Sequence, residues 1–283
     1  MIDLGGHSGC QIMLMEGNRG NFVRKISSDT AYNKRLELQF RKQAGFSNAK
    51  IKSPEVLNSG YTDNGLFFFD MEYIQGVTLA EYIKRIEIGK IRNLAERIAE
   101  GVIPEVCENV GSILSVNEIF RSKTEKLKSQ LSGKGWTIIE EALEKLECHD
   151  WSMMSPSPCH GDLTMENIIV RNECMYLIDF LDSFYDSWIL DIGTLLQDIQ
   201  TLWSYRFMKN MDMNTILRLV VFRDLLLDRV EQKKPGCGIE IYYALLLKLV
   251  RIFPYTNDEP TFGFLLEKTK TVMNIISEKE EHL

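Results

Sequence analysis

The stretch Cys159-His160-Gly161-Asp162-Leu163-Thr164-Met165-Glu166-Asn167 gathers a histidine, a carboxylate and an amide directly behind the Ser-Pro-rich segment 152–158. Two apolar-rich strands follow, expected over 168–171 and 175–179 and joined through Asn172-Glu173. Such a hairpin puts Asn167 at the mouth of one strand and Asp179 at the end of the other. Both side chains then reach one ion beside the loop that presents Asp162. An amide and a carboxylate oxygen, completed by phosphate oxygens, suit magnesium. A further carboxylate is the group type that takes a proton from a nucleophile. Phosphoryl transfer asks for this set plus a cation on the phosphate oxygens, since its catalysis is mostly positioning and charge. Lys25 is of the right type for that cation.

The elements that must carry these residues are legible upstream. Gly5-Gly6-His7-Ser8-Gly9 separates Ile2 and Leu4 from the apolar run 11–15, which reads as two strands about a glycine turn. Asn18-Arg19-Gly20-Asn21 is a second turn, and the third strand, 22–26, contains Lys25. Asp29-Thr30 is placed to cap a helix over about 31–43, with Leu36 and Phe40 on one face and Glu37 on the same helix. Val56-Leu57 and the run 66–74 supply two more strands, the last ending at Gln75-Gly76. A small antiparallel sheet with one helix is expected for residues 1–75. Beyond Gly76 the texture turns helical: a helix capped by Thr78, a long helical stretch over 93–120, and a charged segment, 123–150, expected as a surface-exposed helical insertion. No internal repeat is visible.

Composition narrows the class. The 283 residues are 45% hydrophobic and 26% charged, ordinary for a globular chain. A formal net charge of -7 and no basic stripe argue against nucleic-acid binding, which runs on clustered Lys and Arg. The start carries no secretory pattern, and the most apolar helical stretches, 217–230 and 242–250, are interrupted by charges, so a cytoplasmic protein without membrane contact is expected. Six scattered cysteines fit reduced thiols better than a disulfide framework. Cys148-His149 and Cys159-His160 offer four zinc-ligand types, yet adjacent Cys-His pairs with Pro156 and Pro158 between them are not a structural zinc spacing.

His160-Gly161-Asp162-Leu163 with Asn167, followed by Ile178-Asp179-Phe180, resembles the catalytic loop and metal motif of the aminoglycoside phosphotransferase and choline kinase family. It is also similar to the H-R-D-L-x-x-x-N and D-F-G motifs of protein kinases. The resemblance covers most of the chain. It implies an α+β, two-lobed, protein-kinase-like fold: an N-lobe of residues 1–75 with a small antiparallel sheet and one helix, and a larger, mostly helical C-lobe of residues 76–283, with a hinge near 72–76. It implies ATP and Mg2+ as cofactors and a small-molecule acceptor as partner. Asp162 would be the catalytic base, with Asn167 and Asp179 on the metal. Gly5, Gly6, His7, Ser8 and Gly9 would form the phosphate loop, Lys25 the strand lysine and Glu37 its helix partner. Met71 would stand behind the adenine, whose edge would pair with the Glu72 carbonyl and the Ile74 amide. Asp191 would brace the catalytic loop from a following helix.

The expected activity is transfer of the ATP γ-phosphate to a hydroxyl of a sugar, aminoglycoside or amino alcohol. Leu181 in place of the last glycine of the protein-kinase triplet, and the lack of an A-P-E-like segment, argue against a protein kinase. Thr164, where protein kinases have lysine, keeps open a nucleotide-binding pseudokinase or regulatory module. Asp182 and Asp186, with aromatics Phe184, Tyr185, Trp188, Trp203 and Tyr205 nearby, offer a wall for a cationic or sugar acceptor, or are solvated acids and core.

Overall fold

The computed structural model describes residues 2–3, 10–18, 20–105, 113–131 and 137–282. The chain resolves into two units, one of residues 1–82, 160–162 and 166–184, the other of 83–159, 163–165 and 185–283.

The first unit is built on an antiparallel sheet of strands β1 (Ile2–Asp3), β2 (Cys10–Gly17), β3 (Gly20–Ser27), β4 (Val56–Tyr61) and β5 (Phe67–Glu72), in the order β1-β2-β3-β5-β4. Helix α1 (Asn33–Gly45) packs on it. Asp29 accepts from the Tyr32 N–H at 2.8 Å and so fixes the turn ahead of α1. Side chains alternate across the sheet, as period two requires. Cys10, Phe67, Phe69 and Met71 bury with Leu36 of α1, and Ile12, Val23, Tyr32 and Phe40 close the cluster. Lys25 stands opposite Ile12 on β2 and Phe69 on β5, hence on this same apolar face. Arg24 projects from the other face and clasps Asp70 through both guanidinium prongs, at 2.6 and 2.7 Å.

A second antiparallel sheet in this unit runs β6 (Val77–Thr78), β7 (Ile168–Arg171), β8 (Cys174–Leu177), with the one-turn helix α2 (Leu79–Tyr82) against it. Asn172 and Glu173, both at left-handed φ of 50° and 63°, close the β7–β8 hairpin in the manner of a type I′ turn. Arg171 donates to Tyr176 Oη at 2.8 Å and reaches Glu72 at 3.4 Å, which ties the hairpin to the end of β5.

The second unit is helical: α3 (Ile88–Val102), α4 (Ile113–Leu131), α5 (Thr137–Cys148), α6 (Trp188–Thr201), α7 (Met213–Lys233), α8 (Cys237–Val250) and α9 (Glu259–Glu280). Helix α8 is its most apolar element and packs against α6, α7 and α9. Gly193 permits the α6–α8 approach, because a Cβ there would sit 2.7 Å from the Ala244 Cβ.

Two expectations need correction here. The helical stretch over 93–120 is not one helix: α3 ends at Val102, since Pro104 holds Ile103 extended, at φ -83° and ψ 116°. The segment 123–150 is not a surface insertion. Helix α5 buries Ile139, Ala142, Leu143 and Leu146 at helical spacing and packs on α8 and α9, so its charges are only its outer face. The small sheet with one helix, and the larger helical part, agree with the α+β, two-lobed, kinase-like fold.

Candidate active site

Four of the residues singled out in the sequence, Lys25, Asp162, Asn167 and Asp179, lie in the first unit and are linked in pairs. The hairpin does the linking. Ile168 pairs with Leu177, and just outside the ladder the Ile178 N–H donates to the Asn167 carbonyl at 3.0 Å. Asn167 and Asp179 are thereby held at the open end of one hairpin. Asn167 Nδ2 donates to the Asp162 carbonyl at 2.9 Å and lies 3.5 Å from Asp162 Oδ2. This orientation turns the amide so that Oδ1, the atom a hard cation would use, is on its opposite prong.

Asp179 adopts φ +61°, a left-handed conformation that costs most residues about 1–2 kcal/mol and that Asp tolerates better than most. Lys25 Nζ donates to Asp179 Oδ1. The lysine is 2% exposed, so its ammonium depends on a paired oxygen to be tolerated there.

His160 is the pin of the loop. It is buried, and its Nε2 lies 2.7 Å from the Ile178 carbonyl, which makes Nε2 the protonated nitrogen. Its Nδ1 then accepts from the Asp162 N–H at 3.3 Å. Desolvation pushes the imidazole down from 6.5 to about 4, against the upward pull of the Ile178 hydrogen bond and of the Asp162 and Asp179 charges. At neutral pH it is an uncharged brace. Gly161 is confined as closely, at φ +92°, where an added Cβ would collide with the Leu181 carbonyl and lie 2.7 Å from Ser183 Oγ.

The donor types at Asn167 and Asp179 are ones magnesium would accept. Asp179 contributes carboxylate oxygens and Asn167 an amide oxygen, and magnesium takes only one or two such ligands beside phosphates. Three of the four residues weighed for zinc are engaged elsewhere: Cys159 Sγ donates to Asp186 at 3.2 Å, His149 Nε2 meets Glu240 at 2.9 Å, and His160 holds the Ile178 carbonyl, while Cys148 is an exposed free thiol. Among the described residues no group of three or more His, Cys, Asp or Glu is placed to hold a metal.

The expected nucleotide residues fare unevenly. Gly5, Gly6, His7, Ser8 and Gly9 lie outside the described residues. Met71 is buried at the centre of the sheet core, with its sulfur 3.3 Å from Gln43 Nε2. Glu72 ends β5, its N–H donating to the Glu55 carbonyl at 2.8 Å, and Ile74 is buried just beyond. Glu37 does not meet Lys25. It accepts from the Tyr61 hydroxyl, raising the phenol's pKa, and lies 3.8 Å from Arg41. The physical reason is helical phase: α1 buries Leu36, Gln39 and Gln43, and Glu37 stands about 100° around the helix from Leu36.

The structure also bears on the acids and aromatics that follow Asp179. Asp182 accepts from Arg35 Nε at 2.7 Å, so its charge is already matched by a guanidinium. Trp188 and Tyr205 are buried core residues of the second unit. In that unit Asp198, two turns beyond Asp191 on α6, is fully buried and accepts from the Met165 N–H at 2.6 Å and from Ser204 N and Oγ at 3.0 and 2.7 Å. Sequence reasoning missed Asp198, because α6 also carries Asp191 and Gln197 and nothing local marks which of them is buried against the loop.

Solved structures of the same fold include a thermostable mutant of aminoglycoside phosphotransferase APH(4)-Ia in ternary complex with ADP and hygromycin B. It is 11% identical at a TM-score of 0.60, over 98% of this chain and 92% of that one. A putative fructosamine-3-kinase from Haemophilus somnus 129PT is 16% identical at 0.56, over 97% and 90%. Amicoumacin kinase hAmiN, in complex with AMP-PNP, Ca2+ and Ami, is 15% identical at 0.57, over 96% and 87%. No curated protein matches the chain. A sequence profile of the phosphotransferase enzyme family matches residues 4–212, most of the length, and the chain belongs to that family.

Proposed function

We propose that this protein transfers the γ-phosphoryl group of ATP to a hydroxyl of a small molecule. The observation that carries the reading is the linked set of Lys25 on Asp179 and Asn167 on Asp162, brought together by one hairpin and one loop. Asp162 orients the acceptor hydroxyl and takes its proton as the oxygen attacks phosphorus. Asn167 and Asp179 would hold magnesium, which would neutralise charge on the phosphate oxygens. Lys25 supplies a second positive charge from a buried position, where it acts with little solvent screening. His160, neutral and fixed by two hydrogen bonds, keeps the Asp162 backbone in place rather than exchanging protons.

The related structures support the nucleotide and the acceptor class: they bind ADP or AMP-PNP together with hygromycin B or amicoumacin. Sugar, aminoglycoside and amino alcohol hydroxyls are the acceptors to screen. No described helix is long and apolar enough to cross a membrane. Release of ADP should be followed across a panel of such acceptors, with Asp162→Asn as control. The substitution is expected to abolish turnover and leave Mg-ATP affinity within about threefold, since it removes a proton acceptor and no phosphate contact. Persisting turnover in Asp162→Asn would remove the base assignment, and nucleotide binding without turnover on every acceptor would leave a binding module.

A further inference from the structure

Residues 181–183, immediately past the metal motif, are gripped from two sides within the first unit. One side is helix α1. Arg35, Gln39 and Lys42 recur at helical spacing and so share a face. Arg35 Nε donates to Asp182 Oδ1 at 2.7 Å, and Gln39 Nε2 approaches the same oxygen at 3.4 Å. Lys42 Nζ donates to the Leu181 carbonyl at 3.0 Å and lies 3.4 Å from Ser183 Oγ. The other side is the loop that presents Asp162. The Leu181 N–H donates to the His160 carbonyl at 3.0 Å, and Gly161 packs against Leu181 and Ser183 with no room for a Cβ.

Gln39 is the telling residue. It is 1% exposed, and its Nε2 also lies 3.2 Å from Tyr32 Oη. Its Oε1 is buried with no hydrogen-bond partner. A buried amide with an unsatisfied oxygen is a poor way to fill a helix face beside Leu36 and Phe40, where an apolar side chain would bury at no polar cost. Its amide nitrogen, by contrast, is aimed at the Asp182 carboxylate. Stability does not account for the residue; placement of the 181–183 segment does.

We propose that the Arg35–Gln39–Lys42 face of α1 is a positioning clamp for the metal ligand Asp179. Asp179 sits in a left-handed conformation that its neighbours must hold. His160 fixes Ile178 on one flank and Leu181 on the other, through Nε2 and its carbonyl. The clamp closes the remaining side by holding 181–183 to α1. The position of α1 is thereby coupled to Asp179 through polar contacts on this segment, while Glu37 is occupied by Tyr61 and Arg41. Gln39 and Lys42 act through segment 181–183 and are positioning residues. The metal part of the inference rests on the function proposed above; the structural part does not.

Hydrogen exchange on the full chain separates the two. Gln39→Leu and Lys42→Met are each expected to speed amide exchange in peptides covering 178–184 by about tenfold, the equivalent of one lost charge-assisted hydrogen bond. Peptides from α8 should exchange as in the wild type. With Mg-ADP as probe, the half-saturating magnesium concentration should rise about fivefold to tenfold in both, and Lys42→Arg should restore exchange and magnesium dependence together. Arg35→Ala, on a half-exposed side chain, perturbs folding least and should shift exchange in the same segment by a smaller factor. Unchanged exchange at 178–184 in Gln39→Leu and Lys42→Met overturns the clamp. If the wild type binds no Mg-ADP, the function proposed for Asp179 falls, and the exchange comparison still decides the clamp.

Discussion

Acid should loosen this protein through His160 before most carboxylates are protonated. The imidazole falls from 6.5 in the unfolded chain to about 4 in the fold, chiefly by desolvation. Between those values the unfolded chain binds the extra proton and the native one does not, so stability rises with pH across that window. The contribution is complete above about pH 6.5 and is lost as pH falls through about 4. At about 1.4 kcal/mol per pH unit, the full loss is about 3 kcal/mol, with about 2 kcal/mol of it gone by about pH 5. The comparison is urea unfolding of the wild type and of His160→Gln across this range. The substitution costs stability at neutral pH, but its deficit should shrink by about 3 kcal/mol towards pH 4, because a glutamine cannot titrate. NMR of the imidazole nitrogens should show Nε2 protonated and no titration of His160 near 6.5. Parallel stability curves for the two proteins, or a His160 resonance titrating near 6.5, would refute the desolvation argument.

Two further substitutions test particular contacts. Asp198→Ala strands the Met165 N–H and both donors of Ser204 in a buried site, and should lower stability by about 3 kcal/mol, read as a drop in the urea midpoint; a loss below about 1 kcal/mol would mean water or a neighbour replaces the carboxylate. Glu37→Gln should leave the KM for ATP within about twofold and cost at most about 1 kcal/mol of stability, because Glu37 serves Tyr61 and Arg41 at the surface; a tenfold rise in KM would restore it as the partner of Lys25.

What was legible in the sequence was local. The loop 159–167 and the hairpin after it could be read because short spacings dictate a turn, two paired strands and the positions of Asn167 and Asp179 at their ends. Strand β3 and its lysine were equally plain, since apolar alternation and bounding turns fix such an element. The partner of Lys25 was not legible. The helix glutamate that the resemblance implies, Glu37, lies well around α1 from the inward stripe of Leu36, Gln39 and Gln43. Helix α5 hides for a different reason, its abundant charges masking the apolar spacing of Ile139, Ala142, Leu143 and Leu146. Asp198 was out of reach altogether, because a buried carboxylate that holds a distant backbone N–H leaves no local pattern.

The link between Lys25 and Asp179 joins residues 154 positions apart, and the first unit is interrupted by residues 83–159 of the second. A ribosome adding about 5–20 residues per second delivers the carboxylate roughly 8–30 s after the lysine. All five strands of the sheet end by Glu72 and can pair long before then, yet until Asp179 arrives the Lys25 ammonium lacks the carboxylate it buries against. The Lys25–Asp179 pair is therefore among the last features of the first unit to form, and a chain cut anywhere before Asp179 carries the five-stranded sheet with its buried lysine unmatched.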